Sequence, residues 1–425
     1  KLKFSKEENM TSKIFLKAKE EKEIKQGFPW VFDNEIENVK REWLTETGAH
    51  QSSLEKLENT KLEDGSVVEV LSKSGLYLGT GIFNKKSKIT VRIMSRNRGE
   101  EFDYDFFKNR IENALAIRYP YYAKQDSYRL VFDEADFLPG LTVERYCDTE
   151  GRVFLCLQFL ALCTEKYRDL IIEVLKEVCH PFGIYERSDA SVREKEGLEE
   201  KTGWIGAEHN PVMTIKENGV LLTVDLEKGQ KTGYFLDQKF NRKIVSAFAK
   251  GKTVLDTFTH TGAFALNCAL AGAKEVTAVD ISPEAVETVN NNIKINNQQK
   301  TVKAVCADVF DLLREYEQTG KTFDMIILDP PAFTKSAKMV QKAYGGYKEI
   351  NLRALKILKP GGILVTCSCS HFFDTNTFYS MIQNAAEDAH KTIQILEKRG
   401  AGPDHPVLVG YPKSEYLKCA ILRVM

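Results

Sequence analysis

The most reactive side chains of this sequence meet in two short blocks, DPPAF at Asp329–Phe333 and TCSCS at Thr366–Ser370, each closing an apolar, strand-like run. A free thiol ionises near pH 8.5 and is a strong nucleophile even when only a few per cent is thiolate. The two prolines after Asp329 remove backbone donors and fix the chain direction, which aims the carboxylate and nearby carbonyls at a planar substrate. An acid beside a thiol suits a reaction that a cytosine ring cannot undergo alone. Its C5 is a poor carbon nucleophile until a thiolate adds at C6 and a proton or hydrogen bond reaches N3, after which C5 takes a methyl group like an enamine carbon. Cys369 and Asp329 are the candidates for these roles. Cys367, two residues earlier and on the same face if the strand stays regular, taken alone reads better as a small buried residue.

Three further acids precede Asp329 at the ends of strand-like runs: Asp256, Asp280 and Asp308. One such aspartate is an ordinary helix cap, but four at successive strand ends form a cofactor-site pattern. Asp280 lies 24 residues after Asp256, about where nucleoside-binding folds place the acid that grips ribose hydroxyls. The loop after Asp256 has only Gly262 where a dinucleotide fingerprint has three glycines. A ligand without a pyrophosphate needs fewer close backbone approaches, so S-adenosylmethionine is expected rather than a nicotinamide dinucleotide. Its ribose is expected on Asp280 and its adenine near Asp308.

The elements that hold these residues alternate strand and helix from Lys252 onward, which predicts a parallel, doubly wound sheet with ligands at its carboxyl ends. Ahead of it, VMTIKENG and VLLTVDLE read as a hairpin. Residues 97–208 mix helical spacing at Phe106, Ile111 and Leu115 with the strand-like runs RLVFDEA, LTVERYC, VFLCLQFL and GIYERSD. Residues 11–96 read as a small β-rich domain, in which the aperiodic polar stretch Lys40–Asn59 is expected to be a surface loop. The polar leader that ends at Met10 is set aside, with Met10 a candidate native start.

Composition narrows the class. Over 425 residues, 43% hydrophobic and 28% charged side chains fit two or three globular domains. No apolar run approaches the roughly 18 to 20 residues of a membrane span, so a cytoplasmic protein is expected. Nine irregularly spaced cysteines make neither a disulfide framework nor a zinc site, so no metal is expected. Basic and acidic residues both number 60, so any RNA must be held by a local surface. One candidate is KKSKITVRIMSRNR, with Lys85, Lys86, Lys88, Arg92, Arg96 and Arg98, which equally reads as a lysine-guarded edge strand. Another is the set after DPPAF, Lys335 and Lys342 with Lys338 and Lys348. Trp30 reads as a domain-packing aromatic.

The blocks GFPWVF, SYRLVFDEADFLPGLTVERY, IYERSDASVREKEG, KTGYFLDQ, VLDTFTHTGAFA, DPPAF, GYKEIN, TCSCS and DHPV with YLK resemble, in order, the bacterial 23S rRNA cytosine-C5 methyltransferases with an N-terminal PUA domain. The resemblance runs from about residue 13 to Met425. It implies an α/β architecture: a PUA-like RNA-binding domain over 11–96, a central mixed α/β domain over 97–208, and a Rossmann-like class I methyltransferase domain over 209–425. It also implies Cys369, not Cys367, as nucleophile, and cofactor contacts at Gln238, Asp256, Phe258, Gly262, Asp280, Asp308 and Asp329. Ala332 stands where related enzymes carry a second cysteine, which leaves the base for the C5 proton unassigned. The target cytosine, a naked or assembled rRNA substrate, and a homodimer also stay open. Two other readings compete: methylation of an exocyclic base nitrogen, from which Ala332 after the prolines already departs, and a non-catalytic RNA-binding assembly factor.

Overall fold

A computed structural model describes residues 11–45, 47–334 and 337–425. Met10 and Lys335, and with them the expectations placed there, lie outside the described residues.

The N-terminal unit is a seven-stranded sheet whose spatial order is Trp30–Phe32, Ile89–Ser95, Tyr77–Phe83, Val67–Leu71, Ser12–Leu16, Ile36–Leu44 and His50–Glu55. Alternating burial along Ser12–Leu16 puts Ile14 and Leu16 inside with Val31, Val39, Val68, Val70 and Val91. The stretch from Lys40 to Asn59 is not a loop: Ile36–Leu44 pairs antiparallel with His50–Glu55, Leu44 facing His50. It forms the exposed margin of the sheet, so neither face carries the apolar alternation that announces a strand.

The central unit is a five-stranded sheet in the order Lys201–Trp204, Gly183–Ser188, Val153–Phe159, Leu141–Cys147, Tyr128–Phe132. Helices Tyr104–Arg118 and Arg168–Cys179 bury Phe107, Ile111, Ile171 and Leu175 in its core. The first of them starts where the Asp103 carboxylate accepts from Phe106 N at 2.9 Å. A hairpin, Val212–Glu217 with Val220–Asp225, then turns at Asn218 and Gly219, whose φ values of 51° and 91° suit a two-residue turn.

The C-terminal sheet comprises β1 (Thr253–Thr257), β2 (Glu275–Asp280), β3 (Val302–Cys306), β4 (Phe323–Leu328), β5 (Leu358–Ser368), β6 (Ile393–Arg399) and β7 (Lys418–Val424), in the order β3-β2-β1-β4-β5-β7-β6. Strands β1 to β5 are parallel and β7 is antiparallel to both neighbours. Strand order reverses between β1 and β4, the switch point where a doubly wound sheet opens a crevice. No described helix is long and apolar enough to cross a membrane.

Candidate active site

The β1 end is built by the loop Phe258–Gly262. Phe258, His260 and Gly262 have φ values of 56°, 53° and 80°, two of them strained for side-chain-bearing residues. A Cβ on Gly262 would lie 3.1 Å from Val289 on the following helix, so this turn needs glycine. Asp256, fully buried, ties the loop down: its Oδ2 accepts from Thr259 Oγ1 at 2.5 Å and from Ala265 N at 2.9 Å, while Oδ1 has no hydrogen-bond partner. Burial, with Asp329 and Asp280 nearby, pushes its carboxyl up to about 7. On β2, Asp280 accepts from His260 N at 2.9 Å and Ser282 N at 3.1 Å, which leaves lone pairs on both oxygens. Asp308 caps the helix Val309–Thr319 through one oxygen, accepting from Phe310 N at 2.7 Å. The capping and ligand readings of this residue are compatible.

This donor set fits S-adenosylmethionine, a cation with ribose hydroxyls and an ammonium group: Asp256 keeps an unpartnered buried carboxylate oxygen and lies within charge range of Asp280 and Asp329. Asp280→Ala is expected to weaken cofactor binding by about 1.5 to 3 kcal/mol, roughly 10- to 150-fold in Kd. Calorimetry giving an unchanged Kd would refute the ribose assignment.

At the ends of β4 and β5 the structure brings Asp329 and Cys369 together. Gln238 Nε2 donates to Asp329 Oδ1 at 3.0 Å, and its Oε1 accepts from Asn241 Nδ2 at 2.6 Å. Arg399 Nε in turn donates to Asn241 Oδ1 at 2.8 Å. Gln238 thus holds Asp329 with one end of its amide and Asn241 with the other, and each end keeps one further donor or acceptor for a ligand. Burial, then the negative charge of Asp237, pushes the Asp329 carboxyl up to about 7.

Strand β5 ends at Ser368, so Cys367 stays in the sheet and Cys369 leaves it. Cys367 is fully buried opposite Cys419 on β7. Cys369 packs against Phe132 of the central unit and against Tyr416 and Leu417. Burial raises its thiol to about 11; Lys231 pulls it down while Asp329 and Asp237 push it up. The cysteine turn is held from two sides: Ser370 O accepts from the buried Lys418 Nζ at 2.7 Å, and Ser370 Oγ lies 2.9 Å from Tyr347 OH.

The basic segment is corrected in part. Arg92 is buried between domains, donating to Glu134 at 2.6 Å and Glu196 at 3.1 Å, so it cannot contact phosphate. Trp30 donates to the same Glu134 at 2.6 Å and packs on Tyr411. Arg96 caps the carbonyls of Ile24, Leu78 and Phe28, Arg98 pairs with Glu69, and Lys85 Nζ donates to Glu58 O and Thr60 O. Lys86, Lys88 and Lys342 are exposed, whereas Lys348 pairs with Asp388. Asp237, Tyr347, Tyr416 and Lys418 had no role in the sequence reading, although each lies in one of the quoted blocks, KTGYFLDQ, GYKEIN or YLK.

Residues 14–96 match a PUA-like domain family. A protein of Shewanella denitrificans named ribosomal RNA large subunit methyltransferase I is 40% identical over 420 residues, 98% of this chain and 100% of that one. One of the same name from Photobacterium profundum is 38% identical over 414 residues, 96% and 98% of the two chains. A solved structure of a Streptococcus mutans SAM-dependent methyltransferase superposes with a TM-score of 0.78 at 24% identity, covering 97% of this chain and 100% of that one. A second structure, a crystal structure of a methyltransferase complexed with S-adenosylhomocysteine, gives 0.77 at 23% identity over the same shares. With residues 192–411 also matching the family model, this chain belongs to the S-adenosylmethionine-dependent methyltransferase family.

Proposed function

We propose that the enzyme forms 5-methylcytosine in large-subunit ribosomal RNA, in the cytoplasm, with Cys369 adding to C6 of the target base. The relatives' name supports the substrate. The observation that carries the chemistry is the meeting of Cys369 and Asp329 at the ends of β5 and β4, a thiol held well above neutrality beside a carboxyl that titrates near it. Asp329 takes the thiol proton and delivers it to N3 as the thiolate attacks C6. Tyr347 and Lys418 fix the cysteine turn, and Gln238 with Asn241 fixes the acid. When bound, the cofactor supplies the methyl group; Asp256, Asp280 and Asp308 are the residues that would hold it.

The competing nitrogen-methylation reading calls for an aromatic ring free to stack on the flipped base. Phe333 instead packs on Tyr347 at 4.5 Å and Phe310 at 6.0 Å. Large-subunit rRNA transcript incubated with enzyme and cofactor is expected to yield 5-methylcytidine on nucleoside mass spectrometry. N4-methylcytidine, or no modified cytidine on either transcript or assembled subunit, would overturn the reading.

A further inference from the structure

Methyl transfer to C5 leaves a tetrahedral carbon that still carries its hydrogen, and product cannot leave until that proton is removed. The groups already assigned cannot remove it. Asp329 has delivered its proton to N3 and is needed to take it back. Cys367 is sealed against Cys419, and Lys418 donates to the carbonyls of Ser370 and Tyr416 at 2.7 and 2.8 Å.

One acid–hydroxyl pair beside the thiol has no part in the steps above. The Tyr416 hydroxyl donates to Asp237 Oδ2, a bond spanning 179 residues, and Asp237 Oδ1 is buried with no hydrogen-bond partner. The Tyr416 ring packs in the same cluster as Cys369 and Phe132. Asp237 is close enough for its charge to raise both Cys369 and Asp329. Its main-chain carbonyl accepts from Gly402 N at 2.8 Å, and the next residue, Gln238, holds Asp329. The methyl arrives on the cofactor side of the ring, so the C5 hydrogen is turned to the opposite face. The Tyr416 ring lies 6.1 Å from that of Phe132 in the central unit, beside Cys369.

We infer that Tyr416 and Asp237 form the relay that removes the C5 proton, which rests on the cytosine-C5 reading above. The phenolic oxygen takes the C5 proton as its own proton passes to Asp237 Oδ2. The C5–H electron pair becomes the C5=C6 double bond, and the C6–Sγ bond breaks with its pair left on sulfur. The N3 proton returns to Asp329 and from there to the thiolate, and the relay proton is lost to solvent. Burial beside Asp237 holds the phenol far above its usual range, so it acts as a relay and not as a free phenolate.

The test uses full-length enzyme and RNA carrying cytosine tritiated at C5. In Tyr416→Phe and Asp237→Asn, tritium release to water is expected to slow by about 10² to 10⁴-fold. Methyl transfer should persist, so a denaturant-stable enzyme–RNA complex carrying labelled methyl accumulates on ordinary cytosine and vanishes when Cys369→Ala is added. Cofactor Kd within about twofold of the parent would show an intact fold. Tyr416→Phe keeps the ring against Cys369, so failure of Asp237→Asn to fold would leave the test standing. Tritium release within threefold of the parent in Tyr416→Phe would overturn the proposal, as would methyl transfer and release slowing together without the complex. So would accumulation of the complex in His371→Gln alone, since that ring lies 5.4 Å from Tyr416 and is the rival base. If the parent enzyme itself released no tritium, the cytosine-C5 reading would fall first, a result distinct from all of these.

Discussion

Cys369→Ala is expected to abolish methyl transfer, a loss on the order of 10⁴-fold or more, because the base is not activated without a bond to C6. On RNA containing 5-fluorocytosine the parent enzyme should form a stable adduct, since fluorine at C5 cannot leave as a proton. The variant should form none and still bind cofactor, because the thiol acts on the base. Cys367→Ala is the control. That side chain is fully buried on β5 facing β7, and its hydrogen bond with Cys419, then burial, holds its thiol well above the usual range, so it is inert. Its loss should cost about 1 kcal/mol of packing and leave turnover substantial. Peptide mapping of the adduct decides the matter: a crosslink on Cys367, or C5 methylation by Cys369→Ala, would sink the assignment.

The residues legible in the sequence are those whose meaning is local. Asp256, Asp280, Asp308 and Asp329 each follow an apolar run, and the alternation of strand and helix alone places all four at one edge of a parallel sheet. Cys369 was separable from Cys367 by position, and the end of β5 at Ser368 divides them physically. What escaped was fixed by partners far away in the chain. Arg92 reads as one of six basic residues in a run, yet its carboxylates, Glu134 and Glu196, lie 42 and 104 residues on, in another unit. Tyr416 looks like any tyrosine until Asp237, 179 residues earlier, is set against it. The hairpin ending at Glu55 escaped for a different reason: an exposed strand has no core to imprint a period on it.

Asp329→Asn is expected to slow the single-turnover rate by about 10² to 10⁴-fold and to change the shape of its pH profile. In the parent enzyme Asp329 must be ionised to accept the thiol proton, and burial together with Asp237 sets its carboxyl at about 7. The rate should therefore rise about tenfold per pH unit up to pH 7 and then level off. It levels because the carboxylate is already formed while the thiol, at about 11, stays protonated until the base binds. Asparagine can still donate to N3 but accepts no proton. The bend near pH 7 should disappear, and the residual rate should climb across the measured range as the thiol ionises unaided. Asp256 provides the internal check, since burial also sets its carboxyl at about 7. If the bend survives in Asp329→Asn at the same pH, it belongs to Asp256 or to another group, and Asp329 is not the acceptor. The folded-state effect has the opposite sign. Both acids have folded values above the usual 3.8, so the native state holds their protons longer than the unfolded chain does, and their contribution to stability falls between about pH 4 and 7 and is flat above. A rate that rises with pH while stability falls over the same interval is therefore the joint signature to measure, by quench-flow on RNA and by denaturant titration from pH 5.5 to 9 in parallel.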